Sequence, residues 1–290
     1  MKRAMALFLL CAALLCFPAA CGPAPSPDAE AGAGLSSAPE GAPAAASGDT
    51  LTPGTETYRG FVLDNVLHSE QEGDIHFHLY VPDQYDGSTS YALFLTLPGY
   101  EGLYFQGVGV NLQAEAFAFE ALRYQPDMIV AAPQLGDWQE PSARQTIALT
   151  EYLLSHYQID PERVNLEGMS GGGETGSLVM GLRPELYTAY LAVSTRWDGA
   201  LEPLVDSETP VYLAVGAQDS YYGSQPLRQT YAELCERYAQ KGLPPARIEE
   251  LVVLDVRGQD FFTQHGYTDQ HAGGQAFALD PAAMGWLFDQ

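Results

Sequence analysis

The chain has 290 residues, 46% of them hydrophobic, and carries 13 lysines and arginines against 37 aspartates and glutamates, a formal net charge of −24. So acidic a surface repels nucleic acid and anionic membrane faces, which leaves neutral or cationic partners. Cys11, Cys16 and Cys21 all fall near the amino terminus and Cys235 stands alone in a helical pattern, which excludes a disulfide framework in the body of the protein.

Lys2 and Arg3 precede an apolar run from Ala4 to Phe17, and the small residues Ala19 and Ala20 stand before Cys21. This is the layout of a secretory signal, and the run is shorter than the roughly 20 residues that a membrane-spanning helix needs. The segment resembles the lipobox of bacterial lipoproteins, in which Cys21 becomes the lipidated first residue. Pro18 departs from the aliphatic residue usual there, and an ordinary signal peptide cleaved nearby is the alternative. Residues 1–21 are therefore read as a lipoprotein signal. Residues 22–54 are Ala, Gly, Pro and Ser with scattered acids, a composition too poor in apolar surface to offset the entropy of ordering. They are expected to form a flexible linker. The protein is then expected to be exported and membrane-anchored on the extracytoplasmic side, with residues 55–290 as one domain.

That body alternates strand and helix patterns. "IHFHLYVP" (75–82) alternates with period two, and "YALFLTLPG" (91–99) and "MIVAAPQ" (128–134) are nearly continuous apolar runs, as in buried strands. "SARQTIALTEYLLSHY" (142–157) has helical spacing with Ser142 read as its N-cap. "RVNLEG", "AYLAVST", "PVYLAVG" and "IEELVVLDV" read as further strands, "QPLRQTYAELCERYAQK" as a helix, and "DPAAMGWLFD" as a last helix capped by Asp280 with Pro281 in its first turn. Strand alternating with helix implies a mostly parallel sheet covered on both faces, with its site at the carboxyl ends of the strands.

One such end is the glycine-rich stretch "LEGMSGGGETGS", residues 166–177. As a phosphate-binding loop it lacks the lysine, and Glu174 puts a negative charge where phosphates would sit. As a G-x-S-x-G nucleophile elbow it fits at Gly168, Ser170 and Gly172, between a strand and a helix. A parallel sheet with Gly-Met-Ser-Gly-Gly at a strand-to-helix turn resembles the α/β-hydrolase superfamily over essentially the whole body. Prolyl-oligopeptidase-like, dienelactone-hydrolase-like, and feruloyl-esterase or polyester-depolymerase-like members are the nearest in character.

The resemblance implies a Ser-acid-His order with Ser170 as nucleophile. After Ser170 only His265 and His271 are available. His271, in a glycine-bearing loop before the last helix, is the preferred base and His265 the alternative. Asp219, after "PVYLAVG", is where the family places the acid, with Asp255 and Asp260 as alternatives. The oxyanion donors would be the amides of Gly171 and Tyr100, the latter by position, since Pro98-Gly99 stands where many relatives have His-Gly.

Only 15 residues, "TRWDGALEPLVDSET", separate two strands at the place where large lids usually enter, so an open site is expected. Trp138, Trp197, Tyr221 and Glu174 are candidates for substrate binding, with Asp137 and Asp198 beside the aromatics as partners for sugar hydroxyls. No H-E-x-x-H motif or cysteine cluster occurs, "HFH" lacks nearby ligands, and the glycine turn is not G-x-G-x-x-G, so no metal or other cofactor is expected. The sequence thus points to a cofactor-independent serine hydrolase of carboxylic esters, acyl or feruloyl groups on carbohydrate among them. A serine peptidase and a non-catalytic surface-anchored binding protein are the alternatives; the peptidase relatives' gating propeller has no counterpart of sufficient length in these residues.

Overall fold

The computed structural model describes residues 48–290. The signal segment, Cys21 and the linker through residue 47 lie outside the described residues.

Among the described residues, ten strands form one sheet in the order β1-β3-β4-β6-β5-β7-β8-β9-β10, with β2 paired to β3. The first four are β1 (Thr50–Thr52), β2 (Glu56–Tyr58), β3 (Phe61–Ser69) and β4 (Gly73–Tyr80). They pair antiparallel, and β4 joins the remainder through an antiparallel pairing with β6 (Met128–Pro133). From β6 the sheet runs parallel through β5 (Tyr91–Leu97), β7 (Ile159–Met169), β8 (Ala189–Val193), β9 (Val211–Gly216) and β10 (Val252–Arg257).

Because side chains alternate across a strand, each central strand feeds two cores. Leu93, Leu95 and Leu97 of β5 face one layer, with α3 (Glu140–His156), α4 (Gly171–Leu182), α5 (Glu202–Ser207) and α6 (Gln225–Lys241). Ala92 and Phe94 face the other, with α2 (Phe117–Ala121) and α9 (Pro281–Phe288). Burial on both sides is why β5, β6, β8 and β9 read as continuous apolar runs.

Four local readings change. Thr50–Thr52, assigned to the linker by composition, is strand β1, paired with Val66–His68 of β3. A pattern of alternating burial along β3 identifies it as a half-buried strand, interrupted where Asp64 takes a positive φ of 55° and the register with β4 shifts. "IEELVVLDV" divides: Pro245–Leu251 is helix α7, started by Pro244 and Pro245, and only Val252–Arg257 pairs with β9. Helix α3 begins at Glu140, so Ser142 lies in its first turn rather than at the cap, and its hydroxyl donates to Asp137 Oδ1 at 2.6 Å. Asp137 also accepts from the Gln139 amide, so it finishes the helix start and is spent there. Asp280 does cap α9, accepting from the Ala282 amide at 3.0 Å.

Candidate active site

Strand β7 ends in mid-sheet, between β5 and β8, and Ser170 follows it with φ 55° and ψ −122°, a conformation costly for a residue bearing a Cβ. The flanking glycines enforce it. A Cβ on Gly168 would lie 2.3 Å from the Gly172 carbonyl oxygen, and one on Gly172 would lie 2.1 Å from that of Leu97. Backbone meets backbone at both places, so nothing larger fits. The Ser170 amide donates to Val193 O at 2.9 Å and its carbonyl accepts from the Gly173 amide and the Thr195 hydroxyl, which locks the turn to β8 and starts α4.

The Ser170 hydroxyl reaches His271 Nε2 at 3.0 Å, and His271 Nδ1 reaches Asp219 Oδ2 at 3.0 Å. Asp219 follows β9 with its side chain wholly buried, and its other oxygen accepts the amides of Tyr221 and Tyr222 at 3.0 and 2.8 Å. Burial pushes this carboxyl up, yet the hydrogen bond and charge of His271, with the two amides, outweigh it and hold the group below the ordinary value. The loops bearing Asp219 and His271 are tied together by Gln270, whose side-chain oxygen accepts the Gln218 amide at 2.6 Å. The rings of Tyr221 and Tyr222 lie 5.2 and 5.5 Å from the imidazole.

His265 is elsewhere: its Nδ1 bonds Phe261 O at 2.8 Å at the end of α8 (Gln259–Gln264), and its ring packs on Phe261. Asp255 accepts from Tyr212 and Arg257, and Asp260 sits in the first turn of α8. None of the three joins the Ser170 constellation.

Among the described residues, the Gly171 and Tyr100 amides donate to no protein acceptor. Gly171 opens α4 and Tyr100 opens a short 3-10 turn, Tyr100–Gly102, and first-turn amides have no partner inside their own helix. Both residues border one cleft of about 600 Å³ with Ser170 and His271. Such a pair of donors beside a hydroxyl–imidazole–carboxylate chain can accept the negative charge that develops during acyl transfer.

Trp138, Tyr221, Glu174, Arg196, Tyr222, Tyr267 and Gln275 complete the cleft. Trp138 lies over the elbow, with a Cβ on Gly171 only 3.1 Å from its ring, and meets Tyr100 edge-on at 6.0 Å between centroids. Tyr221 is 73% exposed, which leaves its face open to an incoming group. Glu174 is buried one turn after Ser170, accepts the Tyr222 hydroxyl and sits 3.4 Å from the Arg196 guanidinium. Trp197 is not part of the cleft: it packs on the core, 6.0 Å from Tyr190. Asp198 pairs with Arg196 at 3.0 Å.

A larger hollow of about 830 Å³ lies between the β3–β4 turn and α3, far from this chemistry in the sheet. Its arginines are already paired, Arg144 with Glu72 and Arg183 with Glu151.

Sequence reasoning did not find Arg196, Tyr267 or Gln275 of the cleft, nor two polar residues that hold its backbone. Glu115 accepts the Gly99 amide at 2.8 Å. Gln134, buried at the carboxyl end of β6, accepts the Gly109 amide and donates to Gly102 O and Gly107 O, so it holds the loop that presents Tyr100. A signal existed for each: an acid isolated in "AEAFAF", and an amide closing an apolar strand on the site's side of the sheet.

Residues 134–220, which include Ser170 and Asp219 but stop short of His271, match the prolyl oligopeptidase family. A thermostable esterase superposes with a TM-score of 0.64 at 21% identity, covering 80% of this chain and 63% of that one. The chain has the α/β-hydrolase fold. Oligopeptidase B from Leishmania major superposes on this chain with a TM-score of 0.53 at 14% identity, covering 79% of this chain and 36% of that one. A methylesterase does so with a TM-score of 0.53 at 14% identity, covering 83% and 56%. The chain thus spans less than two thirds of the length of each of these structures. No curated protein matches it in sequence.

Proposed function

We propose that this chain is a serine hydrolase that cleaves carboxylic esters through an acyl-enzyme on Ser170, with acyl or feruloyl groups on carbohydrate as the substrate class. The observation that supports this reading is the hydrogen-bonded chain Ser170–His271–Asp219, two links of 3.0 Å, beside two unengaged amides. His271 Nε2 takes the Ser170 proton as Oγ attacks the acyl carbon. The carbonyl oxygen becomes negative between the amides of Gly171 and Tyr100. As the tetrahedral species collapses, the imidazolium returns its proton to the departing alcohol, and water then repeats the sequence to release the acid. Asp219, held by Tyr221 and Tyr222, keeps Nδ1 protonated and the ring aimed at Ser170.

The aromatic faces of Trp138, Tyr100 and Tyr221 along the cleft favour planar acyl groups or sugar rings. A panel of acetyl, feruloyl, hydroxyalkanoate and peptide substrates, run with a fluorophosphonate probe for Ser170, tests the reading. Ester turnover that tracks probe labelling is expected. Efficient cleavage of peptide amides with negligible ester turnover would replace it by the peptidase reading, which the family match over residues 134–220 favours.

The layout of residues 1–21 supports a second expectation, that Cys21 carries lipid and holds the enzyme at the membrane's outer side. Cys21→Ser should abolish lipid labelling and release the protein from the membrane fraction with its specific activity intact. A soluble wild type cleaved elsewhere would end this proposal.

A further inference from the structure

Glu115 takes no part in the steps above, yet its carboxyl borders the cleft beside Gly99, Tyr100 and Ser170. It follows α1 (Val110–Ala114), and its Oε1 accepts the Gly99 amide at 2.8 Å. A Cβ on Gly99 would stand 3.2 Å from that oxygen and 3.6 Å from Ser170 Cβ, so carboxyl, loop peptide and serine occupy one small space. Glu167, on β7 three residues before Ser170, is fully buried; it accepts the Thr96 hydroxyl at 2.7 Å and has an Oε1 without a partner.

The charged groups around Glu115 are one-sided. Strand β7 brings Glu167 and the 3-10 turn brings Glu101, both acids. Farther along the cleft stand His271, whose ring is committed to Ser170 and Asp219, Glu174, and Arg196, which is engaged by Glu174 and Asp198. Among the described residues no cation pairs with Glu115.

We propose that Glu115 is a positioning residue of the oxyanion site: its protonated carboxyl holds the Gly99 peptide, and through it the Tyr100 amide, facing the reacting carbonyl. The proposal rests on the reading of Tyr100 and Gly171 as oxyanion donors. Either protonation state accepts from Gly99, but only the neutral acid avoids setting a fixed negative charge beside the one that develops on the substrate oxygen. Burial pushes the Glu115 carboxyl up to about 8, against the lowering effect of the Gly99 bond and with Glu101 adding to the rise. Burial and Glu115 together raise Glu167 as well.

Two variants of the full chain separate the roles. Glu115→Leu removes the acceptor and should lower kcat on the order of 10- to 100-fold with KM within about twofold, because a loosened donor is missed chiefly in the transition state. Affinity for a boronic-acid transition-state mimic should weaken by the same factor. Glu115→Gln keeps an acceptor that never ionises, so it should restore kcat at pH 7 and abolish the decline in kcat expected of wild type above about pH 8. Unchanged kcat in Glu115→Leu, or a matching loss in kcat and KM, would overturn the positioning role. An alkaline limb that persists in Glu115→Gln overturns the requirement for a proton, and this comparison stands even if the leucine variant fails to fold. A wild type that neither turns over esters nor takes up the fluorophosphonate would instead refute the catalytic reading beneath it.

Discussion

Two stretches of backbone each offer one amide to the cleft, and they are held in opposite ways. The turn from Gly168 to Gly172 is fixed by its own main chain: contacts between backbone atoms admit no Cβ at either glycine, and the amide of Gly171 is aimed by the helix that starts there. The loop from Pro98 to Glu115 has no such self-sufficiency. Its peptides are held by side chains, by Gln134 on Gly102, Gly107 and Gly109 and by Glu115, at the loop's far end, on Gly99. A turn made of glycines leaves a compact motif, whereas a loop tethered by distant side chains leaves only isolated polar residues.

The severest test of the first stretch is chemical. Ser170→Ala and His271→Ala should each lower kcat roughly 10⁴- to 10⁶-fold without loss of fold, and Asp219→Asn somewhat less, as in serine hydrolases whose base loses its orienting acid. Circular dichroism alongside kinetics and probe labelling checks this. Near-normal turnover in Ser170→Ala would dissolve the contrast, since the turn would then carry no nucleophile.

Gly172→Ala tests its rigidity. With the Leu97 carbonyl 2.1 Å from the new Cβ, denaturant unfolding should show a loss of about 3 kcal/mol or more. A neutral result would show that the turn can yield. In the tethered loop, Gln134→Leu should cost about 2–3 kcal/mol through unpaired buried groups, and roughly 10-fold in kcat, short of the 10²- to 10³-fold that loss of a whole oxyanion donor brings.

The two acids beside these stretches sharpen the contrast by pH. Asp219 is held below its ordinary 3.8, so its contribution to stability is complete above that value and is lost as pH falls through its folded-state pKa. Glu115 is pushed from 4.5 to about 8, so the native state holds the extra proton between those values and stability falls as pH rises through that window. Urea midpoints measured from pH 3 to pH 9 should therefore drop on the acid side of 3.8 and decline between 4.5 and about 8, and Glu115→Gln should remove only the second decline. The smallest effect belongs outside both stretches. His265→Ala, which loses a bond to Phe261 O in α8, should leave kcat within about twofold, and a severe loss would call for a different base.

By itself the sequence determined the serine-bearing turn, because close backbone packing demands glycine at fixed spacing, and the parallel core, because strands buried on both faces must be apolar throughout. The position of His271 and Asp219 in chain order was legible only through the family resemblance, which implies an acid and then a histidine after the nucleophile. Tertiary structure alone decided that His271 and not His265 approaches Ser170, since six residues of loop suffice to turn one ring into the cleft and the other onto Phe261. It also separated Trp138, over the elbow, from Trp197, against the core, two tryptophans in loops of similar composition. Glu115 and Gln134 were hidden for the same reason: their partners lie far away in the chain or on peptide groups, which every residue possesses and no sequence pattern marks.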